Sequence, residues 1–219
     1  MREFSPGSLL PLQDLPLTHL NLDASSDVVE FIQKTSIGAN LVHIQIWDSG
    51  YNFNALLYTA ATSLHGVCIR VDDLSGEWEE AALDFAQNVN LQHIMIIVHW
   101  KDDEWLDGLH SLLSKVSPLK LREVSIIFAP NPDDTQDLDD LLARIVQDDC
   151  VRIDQLLSDS RHKSLEVVSL QLRFFHKDNP HHLENIPGAA QWETHLSPYF
   201  PRLWGNGILQ TSITYAWDP

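Results

Sequence analysis

The sequence predicts an α/β fold: a mainly parallel sheet of about six or seven strands, stacked in chain order into an irregular arc, with helices on the opposite side. Three observations carry that expectation. A short strand phrase, apolar-x-x-apolar-x-apolar with Leu first, recurs along the 219 residues. Helix-period apolar patterns fill the gaps between its copies. No Pro/Gly/Ser-rich linker divides the chain, so residues 1–219 are expected to form one domain, with the units from about residue 121 longer and irregular.

The phrase appears at Leu17–Leu22, Leu41–Ile46, Leu64–Ile69, Leu91–Ile96, Leu121–Ile126 and Leu165–Leu170, with a blurred copy at Ile208–Ile213. Successive first positions are separated by 24, 23, 27, 30, 44 and 43 residues. The early intervals match or approach the ~20–29 residues of leucine-rich repeats. A unit of this size cannot bury its own apolar face, so it must stack on its neighbours. Helical crossovers permit parallel strands. A doubly wound sheet alternates elements in the same way, but repetition of one phrase favours the solenoid.

The elements follow in order. Ser25-Ser26-Asp27 offers helix-capping oxygens before Val28, Phe31 and Ile32 at helical spacing. Leu56, Leu57, Ala60 and Ala61 give the next helix. Ser75 and Glu79-Glu80 precede an Ala81, Ala82, Phe85 face. Asp102-Asp103-Glu104 precedes Leu106, Leu109, Leu112, Leu113 and Val116, placing carboxylates where the helix dipole is positive. Asp133, Asp134, Asp137, Asp139 and Asp140 do the same before Leu141, Leu142, Ile145 and Val146, and they lack the Gly and terminal Glu of a calcium loop. Later strands lengthen: Ile94, Ile96, Val98 and Trp100 form one inward stripe, and Val168, Leu170, Leu172 and Phe174 another. The polar stretch His176–Glu184 reads as a long loop.

Lys plus Arg number 14 against 31 Asp plus Glu, a formal charge of −17. That field repels nucleic acid and anionic membrane surfaces, so neither is expected as a partner. Apolar residues at 44% and aromatic residues at 9% are those of a globular chain. Cys68 falls in a strand and Cys150 in a helical segment. Two cysteines at no metal-type spacing fit a reducing compartment, cytoplasmic or nuclear. No signal peptide and no apolar run long enough for a membrane span is read.

Strand parity turns phrase positions one, four and six inward, and three and five to the open face. Position three reads His19, His43, Gly66, His93, Glu123, Val167; position five reads Asn21, Gln45, Cys68, Met95, Ser125, Ser169. If strands pair in chain order, His19 and His43 lie about 4.8 Å apart along the ladder. Trp47 points to the same face, either as a binding anchor or under a following loop. The candidate protein-binding face is therefore His19, Asn21, His43, Gln45, Trp47 and His93. Zinc wants three or four converging ligands, and no cysteine or acid completes the histidine set, so no metal or other cofactor is expected. A second patch, His176, Asp178, His181 and His182, reads as loop. Trp78, Trp105, Trp192 and Trp204 read as core or edge-packing residues.

Signatures for phosphate loops, dinucleotide binding, nucleophile elbows and zinc proteases are missing. Gly205-Asn206-Gly207 precedes a strand, the wrong context for cradling phosphate. The ninth repeat position, usually Asn or Cys, holds Ser25, Ser49, Asp72, His99, Ala129 and Arg173, so no Asn ladder runs through the turns.

Taken together, Pro16-Leu17-Thr18-His19-Leu20-Asn21-Leu22, Phe31-Ile32-Gln33-Lys34-Thr35, Ile153-Asp154-Gln155-Leu156-Leu157, Ser164-Leu165-Glu166-Val167-Val168 and the closing Pro201-Arg202-Leu203-Trp204-Gly205-Asn206-Gly207-Ile208-Leu209 resemble the leucine-rich-repeat-like C-terminal regions of fungal F-box proteins, especially those of mushroom-forming fungi. The resemblance implies an arc that captures partner proteins. An N-terminal F-box would dock a ubiquitin-ligase scaffold, but the first strand begins by Leu17 and leaves the F-box no room. The expected function is a non-catalytic protein–protein interaction module. The alternative is an α/β enzyme with a site at the strand ends.

Overall fold

The computed structural model describes residues 17–22, 26–35, 37–47, 53–71, 83–100, 105–130, 147–176 and 188–217. Strands β1 (His19–Leu22), β2 (His43–Ile46), β3 (Gly66–Val71), β4 (His93–Trp100), β5 (Glu123–Pro130), β6 (Val167–His176) and β7 (Leu209–Trp217) form one seven-stranded sheet in chain order. Every pairing is parallel. The described helices are α1 (Ser26–Thr35), α2 (Asn54–Thr59), α3 (Trp105–Ser114), α4 (Gln147–Leu157), α5 (Ala189–Leu196) and α6 (Pro201–Gly205). An α/β protein with a parallel sheet of seven strands is what the phrase foretold.

The phrase sets the register. Its third positions pair in sequence, His19 with His43, then Gly66, His93, Glu123 and Val167. The leading leucines Leu41, Leu64, Leu91 and Leu121 are fully buried. They join the inward strand residues, such as Ile44, Ile69, Ile96, Ile126 and Leu170, and the helix residues Ile32, Leu56, Leu113, Ile153 and Trp192 in one apolar cluster. Residues of all six described helices join this one cluster, so those helices lie on the same side of the sheet, as crossovers of one hand between consecutive parallel strands require.

Backbone bonds replace the missing Asn ladder. The carbonyl at phrase position two accepts two N–H groups from the next strand, and it does so five times. Thr18 receives Val42 and His43, Val42 receives His65 and Gly66, His65 receives Gln92 and His93, Gln92 receives Arg122 and Glu123, and Arg122 receives Glu166 and Val167, all at 2.8–3.1 Å. Side chains add lateral ties: Ser63 donates to the Leu41 carbonyl at 2.7 Å, Asn90 to that of Thr62 at 2.6 Å and Ser164 to that of Leu119 at 3.2 Å. Buried Asn88 donates to the Leu57 carbonyl at 2.9 Å.

Three sequence expectations need correction. In α1 the buried residues are Val29 and Ile32, while Val28 and Phe31 are exposed. Val29 stands at i−3 from Ile32 and shares its stripe, so the apolar face is rotated from the one read. The last copy of the phrase is displaced by two residues: Leu209, not Thr211, pairs with Val168. A two-residue slip keeps each side chain on its face, so the alternation gave no warning of it. Trp192 is fully buried, edge-on to Phe128, with its indole N–H on the Leu170 carbonyl at 3.2 Å; Trp204 is instead exposed. The helices expected around Ala81–Ala82 and Leu141–Val146, the Asp133–Asp140 run and the 177–184 part of the long loop lie outside the described residues. Trp78 and the side chains of Trp100 and Trp105 do as well.

Candidate partner-binding face

The described helices gather on one side, and the other side of the sheet carries positions three, five and seven. Its N-terminal half carries a row of imidazoles. The His19 and His43 rings stack with centroids 4.9 Å apart and planes 23° from parallel, close to the strand spacing that pairs them. The next strand offers Gly66, and the His43 ring leans over it: a Cβ there would lie 2.8 Å from the His43 Cε1. In this rotamer the imidazole occupies the space a side chain at position 66 would fill, so a larger residue there would displace the ring. His93 follows on β4, with Nδ1 3.3 Å from the Glu123 Oε2, and the Ser125 hydroxyl donates to the Glu123 Oε1 at 3.2 Å. The row thus runs His19, His43, Gly66, His93, Glu123 across five strands.

Burial lowers the pKa of His43, and the nearby positive charges of His19, His93 and His65 lower it further. The ring is therefore held neutral near pH 7, able to donate from one nitrogen and accept at the other. His65 sits one residue before Gly66, with Nδ1 2.6 Å from the Ser63 carbonyl oxygen.

Asn21 and Gln45 are exposed beside the row, register partners of each other, and Met95 is also exposed. Trp47 is half-buried. With Cys68 it packs against Ile97, Ile127 and Ala129, a small buried cluster separate from the main core. The C-terminal half of this face is thus covered at β4 and β5, where strand parity alone expected an open surface. Of the six candidates, the structure brings His19, Asn21, His43 and Gln45 together on β1 and β2, places His93 two strands away, and assigns Trp47 to the covered half.

Three participants were missed: Gly66, Glu123 and His65. Gly66 and Glu123 stand in the position-three series, and the signal was the smallest residue sitting between two histidines. The face is also nearly uncharged. Its described side chains carry fixed charge only at Arg70, Glu123 and Arg173, on a chain with 31 acids. Among the described residues no group of three His, Cys, Asp or Glu side chains could hold a metal ion. A shallow polar notch of about 360 Å³, lined by Gln92, Lys120, Arg122, Lys163, Ser164 and Glu166, lies at the strand entrances next to this row. The His176, Asp178, His181, His182 patch falls outside the described side chains. Among the described residues no helix is long and apolar enough to cross a membrane. No protein-family model matches the chain, and no curated protein is significantly similar to it.

Proposed function

We propose that the chain is a non-catalytic protein-binding module, an irregular leucine-rich-repeat-like arc resembling the substrate-binding region of F-box proteins. The observation that carries this reading is the row His19, His43, His93 and Glu123 laid along a sheet face that the described helices leave open. Its groups are spread over β1, β2, β4 and β5 instead of converging on a point, which suits contact with a protein better than turnover of a small molecule. Imidazoles, amides and a thioether (Asn21, Gln45, Met95) are adaptable groups of the kind protein surfaces recognise. The alternative, an enzyme site at the strand ends, would draw on residues 72–82, 101–104, 131–146 and 177–187, which lie outside the described residues. Docking to a ubiquitin-ligase scaffold belongs to this reading only if an F-box stands on the same polypeptide.

Site-specific photocrosslinking tests the proposal. A benzophenone side chain placed at Gln45 or Met95 is expected to trap a discrete protein in cells, while one at Tyr58, 73% exposed on α2, is not. Equal trapping at all three positions, or none at Gln45 and Met95, would sink it.

A further inference from the structure

We propose that β7 is a homotypic pairing edge, along which two copies of this chain join antiparallel into one continuous sheet. Among the described residues β7 pairs only with β6, so its second side presents unmatched backbone groups. The phase of those groups follows from one bond: the Val168 N–H donates to the Ile208 carbonyl at 2.8 Å. Bonding residues alternate along a parallel ladder, so the even-numbered residues of β7 face β6. Leu209, Thr211, Ile213 and Tyr215 therefore turn their N–H and C=O groups outward.

The two ends of the sheet are built differently. β1 has 4 residues, short enough to blunt its edge, whereas β7 has 9, Leu209–Trp217. β7 contains no Asp, Glu, Lys, Arg, His, Pro or Gly, and Thr, Ile, Tyr and Trp give it strong strand propensity. The usual devices that discourage edge pairing are thus missing from it.

The occupant is a second copy because the strand matches itself. A two-fold axis at Ile213 sets Ile213 against its own copy, Thr211 opposite Tyr215 and Leu209 opposite Trp217. Every outward-facing residue then meets another, and helix side continues helix side. Each bond formed occurs twice by symmetry. Two molecules of charge −17 repel at most approaches, and this uncharged strand lets them meet with no like charges opposed across the ladder. Tyr215, 56% exposed and stacked on Phe174 at 6.2 Å, would become interior to the joined sheet.

Sedimentation velocity of the whole chain, from about 1 to about 100 µM at neutral pH, tests this. The expected result is a concentration-dependent species of twice the 24.9 kDa chain mass. Thr211→Pro and Tyr215→Pro each delete an outward N–H and leave the β6 bonds intact, a placement edge strands tolerate. Each is expected to weaken association at least tenfold with unchanged circular dichroism. Thr211→Lys, which charges the edge without altering the backbone, is expected to do the same and covers the case in which a proline variant fails to fold. A monomer throughout the concentration range overturns the proposal, and so does a dimer that these substitutions leave untouched.

Discussion

His43 and His162 carry opposite amounts of solvent but the same thermodynamic sign. His43 lies over Gly66 on the open face; His162 is buried, with Nδ1 unmatched among the described residues. Burial is the first cause of the lowered pKa in both, reinforced by His19, His93 and His65 around His43 and by Arg161 beside His162. Folded, each ring binds its proton more weakly than in the unfolded chain, where the value is near 6.5. The unfolded state therefore takes up protons first as pH falls. Stability from these groups is complete above 6.5, declines as pH drops through it, and stops declining below the folded pKa. The urea midpoint is expected to be lower at about pH 5.5 than at about pH 7.5, and His162→Gln with His43→Gln should flatten the difference. A midpoint that rose on acidification would contradict the assignment. The sequence showed the histidines and their spacing; it could not show that His43 lies down over Gly66, because that is a rotamer choice made by the neighbouring strand.

At the scale of elements, legibility tracked how far each signal was local. The five registers from β1 to β6 were readable because position-one leucines and inward β-branched residues repeat without interruption. The β7 register was not, since Asn206 stands where the leucine should and the apolar residues of Ile208–Ile213 fit the phrase two residues late. The phase of α1 was ambiguous because Val28, Val29, Phe31 and Ile32 offer two overlapping stripes. Wholly invisible was the way α6 begins. Its flanking Phe200 supplies no side-chain cap. Instead Asp154, buried in the body of α4, accepts the N–H groups of Arg202 at 3.2 Å and Leu203 at 2.9 Å across 48 and 49 residues of chain. Helix starts leave such donors unmatched, and a buried carboxylate needs them in return. Asp154→Ala should strand both partners, costing about 1–3 kcal/mol. Asp154→Asn, which keeps an acceptor, should cost less. Chemical denaturation of the three proteins would check this; an alanine variant as stable as the parent would mean that the cap carries no net energy.

The whole molecule is graded from one end to the other. Strand length rises from 4 residues in β1 and β2 to 6 in β3, 8 in β4 and β5 and 10 in β6. Among the described residues each strand is hydrogen-bonded only to its immediate neighbours, so the sheet's backbone cohesion is a series of pairwise steps. β1 is the weakest step: four residues, with His19 and Asn21 exposed and Leu20 only half-buried. β5 is the strongest, flanked on both sides, with Val124, Ile126, Ile127, Phe128 and Ala129 all buried. The imidazole row begins on β1, so the first histidines of the face proposed for partners stand on the least cohesive part of the sheet, while Glu123 stands on the most cohesive. Native-state hydrogen exchange should therefore show protection lowest at Leu20–Leu22, intermediate in β2 and β3, and highest from Val124 to Phe128. Leu41→Ala, which opens a cavity between the first two units, should speed exchange in β1 and β2 and leave β5 and β6 nearly unchanged, because nearest-neighbour stacking confines the loss. If every amide instead exchanged with one common opening free energy, and Leu41→Ala shifted them all alike, the sheet would be a single cooperative unit. The binding face would then be as rigid as the core behind it.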